Sequence, residues 1–138
     1  MGRTALREAE IEVHTGNDRV IDITDRVARV VADGGSGLLN VFVPHATAGV
    51  AIMETGSGSE ADLIEVLERL FPRDQRYHHS HGSPGHGADH ILPVLVSPSV
   101  TIPVSGGRLG LGTWQRIVLV DLNADNPDRR VHLALLEG

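Results

Sequence analysis

One stretch of the chain alternates strictly between apolar and other residues and then turns at once. In residues 100–104, valine and isoleucine occupy every second position, and Ser105-Gly106-Gly107 follows directly. A period of two is that of a strand with one buried face. A short glycine-rich link is typical of a tight hairpin, whose strands run antiparallel. The stretch therefore predicts an antiparallel hairpin and favours a fold built on antiparallel sheet.

Other apolar or alternating runs predict further strands. They occupy residues 5–14, 20–23, 38–43, 47–53, 92–96, 117–122 and 131–136, with a polar link at residues 123–128. The Gly-Asn-Asp turn signal at residues 16–18 predicts that residues 20–23 return alongside residues 5–14. Residues 47–53 are expected to form a second strand in the same sheet as residues 38–43.

Two segments carry a helical period. Thr24 is expected to cap a first helix, which Gly34 ends. Its apolar face consists of Val27, Val30 and Val31. Residues 59–71 are expected to form a second, longer helix, capped by Ser59 and stopped by Pro72. Its buried stripe consists of Leu63, Ile64, Leu67, Leu70 and Phe71.

These segments together predict an α+β fold. We expect mostly antiparallel β-sheet, arranged as two packed sheets with two helices, in a single compact domain over residues 1–138. A chain of 138 residues is long enough to bury a real core. Because only 3% of the residues are aromatic, valine, leucine and isoleucine have to supply most of the packing.

Charge and composition exclude several classes of function. The net charge of −6 argues against a general nucleic-acid or anionic-membrane binder. The absence of cysteine excludes disulfides, iron–sulfur clusters, thiolate zinc sites and a cysteine nucleophile. No apolar run approaches the roughly 20 residues that span a bilayer. We therefore expect a cytoplasmic protein without a membrane partner.

Five of the eight histidines lie within residues 77–90, mixed with glycine, proline and serine. Glycine and proline repeatedly interrupt helical hydrogen bonding, so this stretch predicts a loop. Because imidazoles near neutral pH bind metals or transfer protons, the loop is either a site or a solvated tract. The ten residues between His79 and His90 match no short zinc motif, so spacing alone leaves both interpretations open.

His45 is a second candidate. It stands where a predicted strand ends and the small-residue run of residues 46–49 begins. Functional side chains are common at strand ends that open into loops. The alternative is a structural histidine that is hydrogen-bonded at the end of the strand.

Two further segments have both a functional and a structural interpretation. Trp114, the only tryptophan, lies in residues 110–115, which form either a pocket floor with an aromatic wall or a hairpin with a core tryptophan. The second interpretation is favoured on sequence alone. Ser99 and Thr101 share one strand face, where their hydroxyls either bind phosphate or face solvent. The nearest cations for an anion are Arg108, Arg129 and Arg130.

The motifs occur in the order found in a known family. They are His45-x-Thr47-x-Gly49, Glu54, Asp62, Pro72, Tyr77-x-His79, His90, Pro98-Ser99-Val100-Thr101-Ile102-Pro103, Gly107-Arg108-Leu109 and Leu111-Gly112-Thr113-Trp114-Gln115. The chain resembles the YjbQ-like family, also called the UPF0047 or secondary thiamine-phosphate synthase family. The resemblance covers nearly the whole chain and is weakest before about residue 37.

The resemblance implies a homotrimer with a metal or anion site at His45, His79 and His90. It also implies a synthase that joins hydroxymethylpyrimidine diphosphate to a thiazole phosphate and releases diphosphate. We accordingly expect catalytic and metal-binding roles for these three histidines. Substrate contacts are expected from Thr47, Ser99, Thr101, Arg108, Thr113, Trp114 and Gln115. Partners would be a small phosphorylated substrate and two further copies of the chain.

The donor set also indicates the cofactor. Three neutral imidazoles suit zinc or a similar divalent metal. Mg²⁺ would instead need Glu54, Asp62 or the diphosphate of the substrate as its ligands.

A second hypothesis remains open beside the synthase. Relative to the family pattern, the acidic residue before His90 is shifted by one position, and residues 55–57 lack an asparagine and an aspartate that could bind ligand. No nucleophile or acidic Mg²⁺ cluster is evident. The alternative is a non-enzymatic trimer that binds a metal or small ligand, with incidental synthase activity. The extra histidines, His78, His81 and His86, are either spare ligands or solvated loop residues.

Overall fold

The computed structural model describes residues 4–74 and 76–138, which form two antiparallel sheets. In spatial order, the five-stranded sheet contains β1 (Ala5–His14), β8 (Asp128–Glu137), β3 (Gly37–Phe42), β5 (Ser99–Ser105) and β6 (Arg108–Leu109). The three-stranded sheet contains β2 (Val20–Asp22), β7 (Arg116–Asp121) and β4 (Ala48–Met53). The predicted α+β class with two sheets is confirmed.

Two helices and two single helical turns connect these strands. The helix α1 spans Thr24–Val31 and α2 spans Ser59–Leu70, close to the two predicted helices. The turns are α3 (His86–Asp89) and α4 (Leu92–Leu95). Within the described residues, no helix is long and apolar enough to cross a membrane.

Aliphatic side chains from both sheets form the main core. Ile102 and Val104 of β5 are buried while Thr101 and Pro103 are exposed, as the alternation predicted. Val50 of β4, in the other sheet, belongs to the same buried cluster. Burying one valine or leucine side chain contributes about 1.5–3 kcal/mol. Aliphatic side chains can therefore supply the hydrophobic stabilisation of this fold although few residues are aromatic.

The predicted neighbours of two strands are wrong. The strand β2 does not return alongside β1 but pairs with β7. Instead, β1 pairs with β8 along its whole length, from Ala5 opposite Glu137 to His14 opposite Asp128. The strand β4 is not in the sheet of β3 and also pairs with β7. Local patterns indicate that a strand forms and where the chain bends, whereas packing of distant segments selects the partner.

The start of α1 is built differently from the expectation. Thr24 is the first helical residue rather than the cap. Its hydroxyl accepts a hydrogen bond from the N–H of Ile117 at 2.8 Å, and the carboxylate of Asp22 accepts the N–H of Thr24 at 2.9 Å. The Thr24 hydroxyl therefore ties α1 to β7, a long-range contact that the local sequence does not reveal.

The helix α2 also begins without the predicted cap. Gly58, at φ 93°, precedes Ser59, whose hydroxyl makes no capping hydrogen bond. Ser59 already has helical backbone geometry, whereas a capping side chain belongs to the residue before the helix. On the predicted stripe, Leu67 and Phe71 are buried but Leu70 is 59% exposed. The helix therefore covers β7 with a narrower stripe than the sequence suggested.

Residues 92–96 were predicted as a strand, but Leu92–Leu95 form the helical turn α4 instead. Pro93 lies in the first turn of α4, where its missing N–H is not needed. Leu92 is buried in a second apolar cluster with Leu67 of α2 and Val118 of β7. The turns α3 and α4 are thereby placed on the outer side of the three-stranded sheet.

Candidate metal centre

Four histidine side chains converge beside α3. His79 and His81 come from the segment before α3, while His86 begins the turn and His90 directly follows it. The ring centroids lie 4.1 Å apart for His79–His81, 4.4 Å for His79–His90 and 4.7 Å for His86–His90. The remaining histidine of the stretch, His78, is exposed. The structure thus brings together two of the predicted site residues and two of the extra histidines.

The local sequence explains why these rings meet. Residues four apart share one face of a helical turn, so His86 and His90 lie side by side. Gly87 allows a close approach of the chain, because a Cβ there would lie 2.6 Å from the carbonyl oxygen of His79. Gly82 has a φ of 84°, a left-handed geometry that favours glycine and turns the chain back toward α3.

One nitrogen in the cluster is buried without a hydrogen-bond partner. It is Nδ1 of His79, and no other buried side-chain nitrogen or oxygen among residues 4–74 and 76–138 is left unpaired. An unpaired buried polar atom costs about 1–3 kcal/mol. A ligand that accepts the lone pair of this nitrogen would remove that cost.

The spacing of the nitrogens suits a single small ion. One nitrogen from each of His79, His81 and His86 lies within 4.8 Å of the others. The Nε2 atoms of His86 and His90 are 3.1 Å apart. Two nitrogens bound tetrahedrally to zinc, each at 2.0–2.1 Å, are roughly 3.4 Å apart. The nitrogens of His79, His81 and His86 are therefore near enough to one another to hold one ion, with His90 beside His86, and this all-imidazole donor set fits a transition metal.

Burial and neighbouring rings favour neutral imidazoles. Burial lowers the pKa of His79, and the charges that His81 and His86 would carry lower it further. Burial also lowers the pKa of His90, with the three other rings adding to the effect and Asp89 opposing it. Only a neutral imidazole offers a lone pair to a metal. These two donors are therefore available near neutral pH.

A partly buried ion pair supports α3. Arg73 donates two hydrogen bonds to the carboxylate of Asp89, whose side chain has no exposed surface. Asn123 donates a further hydrogen bond from Nδ2 to Oδ2 of Asp89 at 2.9 Å. Paired donors on a carboxylate fix its orientation as well as its charge. Because Asp89 directly precedes His90, these contacts hold the end of α3 against the loop that follows β7.

The same loop reaches the cluster through Asp125. Oδ2 of Asp125 lies 3.1 Å from Nδ1 of His86 and accepts the N–H of Ser83 at 3.3 Å. Hydrogen bonding from Ser83, followed by that from His86, lowers the pKa of Asp125. The sequence showed only a polar link at residues 123–128. A polar loop directly after a buried strand was the available signal, but its approach to residue 86 is a tertiary contact.

His45 makes no ring contact and no hydrogen bond with the four histidines in this chain. Its Nε2 accepts the backbone N–H of Arg130 at 2.9 Å. Burial lowers the pKa of His45, and the positive charges of Arg129 and Arg130 lower it further. This geometry matches the structural alternative, a histidine that is hydrogen-bonded at a strand end.

Thr47, a predicted substrate contact, is engaged by a buried ion pair. Its hydroxyl accepts a hydrogen bond from NH2 of Arg129 at 2.8 Å. Nε of Arg129 lies 2.7 Å from Oδ2 of Asp121, and the two side chains are 1% and 0% exposed. The Thr47 hydroxyl therefore stabilises the interior.

Ser99, Thr101 and Arg108 lie on β5 and β6 and make no hydrogen bond to the four histidines. Nδ2 of Asn40 donates to Oγ of Ser99 at 2.8 Å and lies 3.4 Å from Oγ1 of Thr101. Arg108 is exposed on its short strand. These side chains form a polar patch on the outer face of the five-stranded sheet.

The favoured interpretation of Trp114 as a core residue is wrong. Its side chain is 73% exposed, and Thr113 beside it is also exposed. Oε1 of Gln115 accepts the N–H of Gly112 at 2.8 Å, which closes the turn. The glycines of residues 110–115 are compatible both with a hairpin that buries its tryptophan and with a turn that exposes it. The sequence alone does not distinguish these two arrangements.

The cavity at the histidine cluster is small. Its volume is about 60 Å³, and it is lined by Asp74 and by residues 79–87. Sites for drug-sized ligands are usually about 300–1,000 Å³. The space suits an ion with a few small ligands better than two heterocyclic substrates.

Comparison of sequences places the chain among known relatives. A family model described as "UPF0047 protein YjbQ-like" matches residues 9–138. A UPF0047 protein of Mycobacterium bovis is 62% identical over 128 residues, which cover 93% of this chain and 99% of the relative. A UPF0047 protein of Archaeoglobus fulgidus is 37% identical over 116 residues, covering 84% and 90%.

Solved structures share the fold. A hypothetical protein from Aeropyrum pernix has a TM-score of 0.85 and 34% identity, covering 96% of this chain and 98% of that one. A YbjQ-like protein from Sulfolobus solfataricus has a TM-score of 0.91 and 24% identity, covering 99% and 100%. The second likeness concerns the fold alone.

Proposed function

The chain belongs to the YjbQ-like UPF0047 family, and from the geometry of its histidine cluster we propose that it binds a divalent transition metal through His79, His81, His86 and His90. The observation that carries the proposal is the unpaired, buried Nδ1 of His79 in a ring surrounded by three other imidazoles. A metal ion would give this nitrogen the partner that it lacks.

The donor set favours zinc or a similar metal. Imidazole nitrogen is a common ligand of zinc, copper, iron and nickel, whereas Mg²⁺ prefers oxygen. When bound, such an ion supplies a Lewis acid that can neutralise negative charge on a substrate. The chain's own part is to hold the four donors close together and partly shielded from water, with the pKa values of His79 and His90 lowered.

Elemental analysis tests this proposal directly. Untagged full-length protein, loaded with Zn²⁺ and dialysed, is expected to retain about one ion per chain, and His79→Ala is expected to lose it. His78→Ala is the matched control, because it removes an exposed histidine adjacent in sequence. Equal zinc content in the His79→Ala variant and the wild type would refute the proposed site.

The synthase reaction is the second candidate. What supports it is the metal-competent cluster, since departure of diphosphate requires positive charge at the leaving group. The cavity of about 60 Å³ and the distribution of the expected substrate contacts weigh against it. Metal binding without synthase turnover is therefore favoured. A turnover well below about 1 s⁻¹ that persists in His79→Ala would show the reaction to be incidental.

We also propose the homotrimer and the small phosphorylated substrate as partners. A surface suited to self-association is the outer face of the five-stranded sheet. There Leu136 lies opposite Leu6 on one side and Leu38 on the other. All three leucines are at least 47% exposed. Burying them against further copies would remove apolar surface from water.

A further inference from the structure

We infer that Asp125 is a positioning residue for the histidine cluster. Its carboxylate holds His86 in the tautomer with hydrogen on Nδ1, which directs the lone pair of Nε2 toward His90. The inference rests on the proposed metal site, since Nε2 would then be the atom that His86 offers to the ion.

The contacts around Nδ1 of His86 indicate that this nitrogen, rather than Nε2, carries the ring hydrogen. Oδ2 of Asp125 lies 3.1 Å away. An ionised carboxylate only accepts hydrogen bonds, so Nδ1 has to be the donor. Nδ2 of Asn123 is also near, but at 3.4 Å it is farther from Nδ1 than the carboxylate oxygen, and one of its two hydrogens is already donated to Oδ2 of Asp89 at 2.9 Å. The carboxylate is therefore the partner of Nδ1.

The opposite nitrogen of the same ring faces the cluster. Nε2 of His86 lies 3.1 Å from Nε2 of His90. When Nδ1 carries the hydrogen of a neutral ring, Nε2 carries the lone pair. Carboxylates play the same part toward metal-ligating histidines generally, where they fix ring orientation and raise ligand basicity.

Asp125 is itself held in place from the interior. Oδ1 of Asn123 accepts the N–H of Asp125 at 3.0 Å. The N–H of Asn123 donates to Oδ1 of Asp121 at 2.9 Å, and Asp121 is paired with buried Arg129. The backbone of Asp125 is thus fixed by a hydrogen-bond network that extends through Asn123 to the buried Asp121–Arg129 pair.

Three variants of the full-length protein test the assignment. Asp125→Ala removes the acceptor, while Asp125→Asn keeps a neutral one. Asp128→Ala is the matched control, because Oδ1 of Asp128 lies 2.8 Å from Nδ1 of His14 in an exposed carboxylate–imidazole pair outside the cluster. The probes are Zn²⁺ affinity by competition with a chelator, and the imidazole ¹⁵N shifts of the metal-free protein.

We expect Asp125→Ala to weaken Zn²⁺ binding by about 10- to 100-fold, as loss of such a carboxylate typically does. Asp125→Asn is expected to restore part of the affinity, and Asp128→Ala to change it less than about twofold. In the metal-free protein, His86 should show a single Nδ1–H form that becomes mixed in Asp125→Ala only.

The two proposals fail in distinguishable ways. A wild type that binds no Zn²⁺ overturns the metal site, and the ¹⁵N shifts then still decide the role of Asp125. Unchanged His86 shifts in Asp125→Ala overturn the positioning role, whether or not metal binds. Equal Zn²⁺ affinity in the wild type and Asp125→Ala also overturns it.

Discussion

The Nε2 atoms of His86 and His90 lie 3.1 Å apart, on residues separated by one helical turn. This separation is close to the roughly 3.4 Å between two nitrogens on one tetrahedral zinc ion. The turn α3 therefore presents two donors in nearly the required arrangement, and the preceding segment adds two more. Little reorganisation is needed for binding, which favours affinity.

The structure predicts that His45 is dispensable for metal binding. Its imidazole accepts the N–H of Arg130 and contacts none of the four rings. We expect His45→Ala to retain the zinc of the wild type in elemental analysis, in contrast to His90→Ala. Loss of zinc in His45→Ala would return residue 45 to the ligand set that the family resemblance implied.

Substitution of Arg129, which forms a buried ion pair with Asp121, is expected to lower the free energy of unfolding more than substitution of its neighbour Arg130. Arg129→Met would leave the carboxylate of Asp121 buried without its cation, a change that typically costs about 3–5 kcal/mol. The free energy of unfolding in urea measures it. Arg130→Met is the control, because this neighbour is 57% exposed and lies 3.9 Å from its partner Glu10, so a change within about 1 kcal/mol is expected. Similar losses in both variants would contradict the assignment.

His45 should make stability depend on pH. In the unfolded chain its imidazole titrates near its ordinary value of about 6.5. Burial and two arginines lower its pKa in the fold. As pH falls through about 6.5 toward the folded pKa, the unfolded chain takes up a proton that the folded chain does not, so stability decreases.

Replacing His45 isolates this contribution. Gln keeps an acceptor for the N–H of Arg130 but does not titrate. Between pH 7 and pH 5, the free energy of unfolding should fall less in His45→Gln than in the wild type. His14→Gln, at an exposed position, is the control. Identical pH dependence of the wild type and His45→Gln would count against the lowered pKa.

Trp114 is expected to behave as a surface residue. Because it is the only tryptophan and is 73% exposed, acrylamide should quench the fluorescence of the folded protein almost as well as that of the unfolded chain. Trp114→Ser should change the free energy of unfolding by no more than about 0.5 kcal/mol. Strong protection from quenching would place the ring in an interface between copies of the chain.

The proposed homotrimer predicts a sedimenting mass three times that of the 14.8 kDa chain. Leu38→Lys together with Leu136→Lys places two charges on the outer face of the five-stranded sheet and should dissociate the trimer. Val66→Lys, at an exposed position on α2, is the matched control. A trimer that survives the double substitution would locate the interface elsewhere.

Local pattern was enough to predict most elements of this fold. The alternation in residues 100–104 depends only on a strand having one buried face, and Ile102 and Val104 are buried accordingly. The choice of partner strands was not predictable in the same way. Pairing of β1 with β8 joins segments more than 100 residues apart, and no local period carries that information.

The candidate site likewise has features that the sequence predicted and features that only the tertiary structure decided. The chain's own composition indicated histidines as the donors for a transition metal, because it contains no cysteine and concentrates five imidazoles in residues 77–90. Folding decided which of them meet: His81 and His86 joined His79 and His90, while His45 was paired with the backbone of Arg130. Asp125 reached His86 from 39 residues away. Residue types and their periodicity determine which groups a chain can offer, whereas distances and burial depend on contacts between distant segments, and only the tertiary structure decides those.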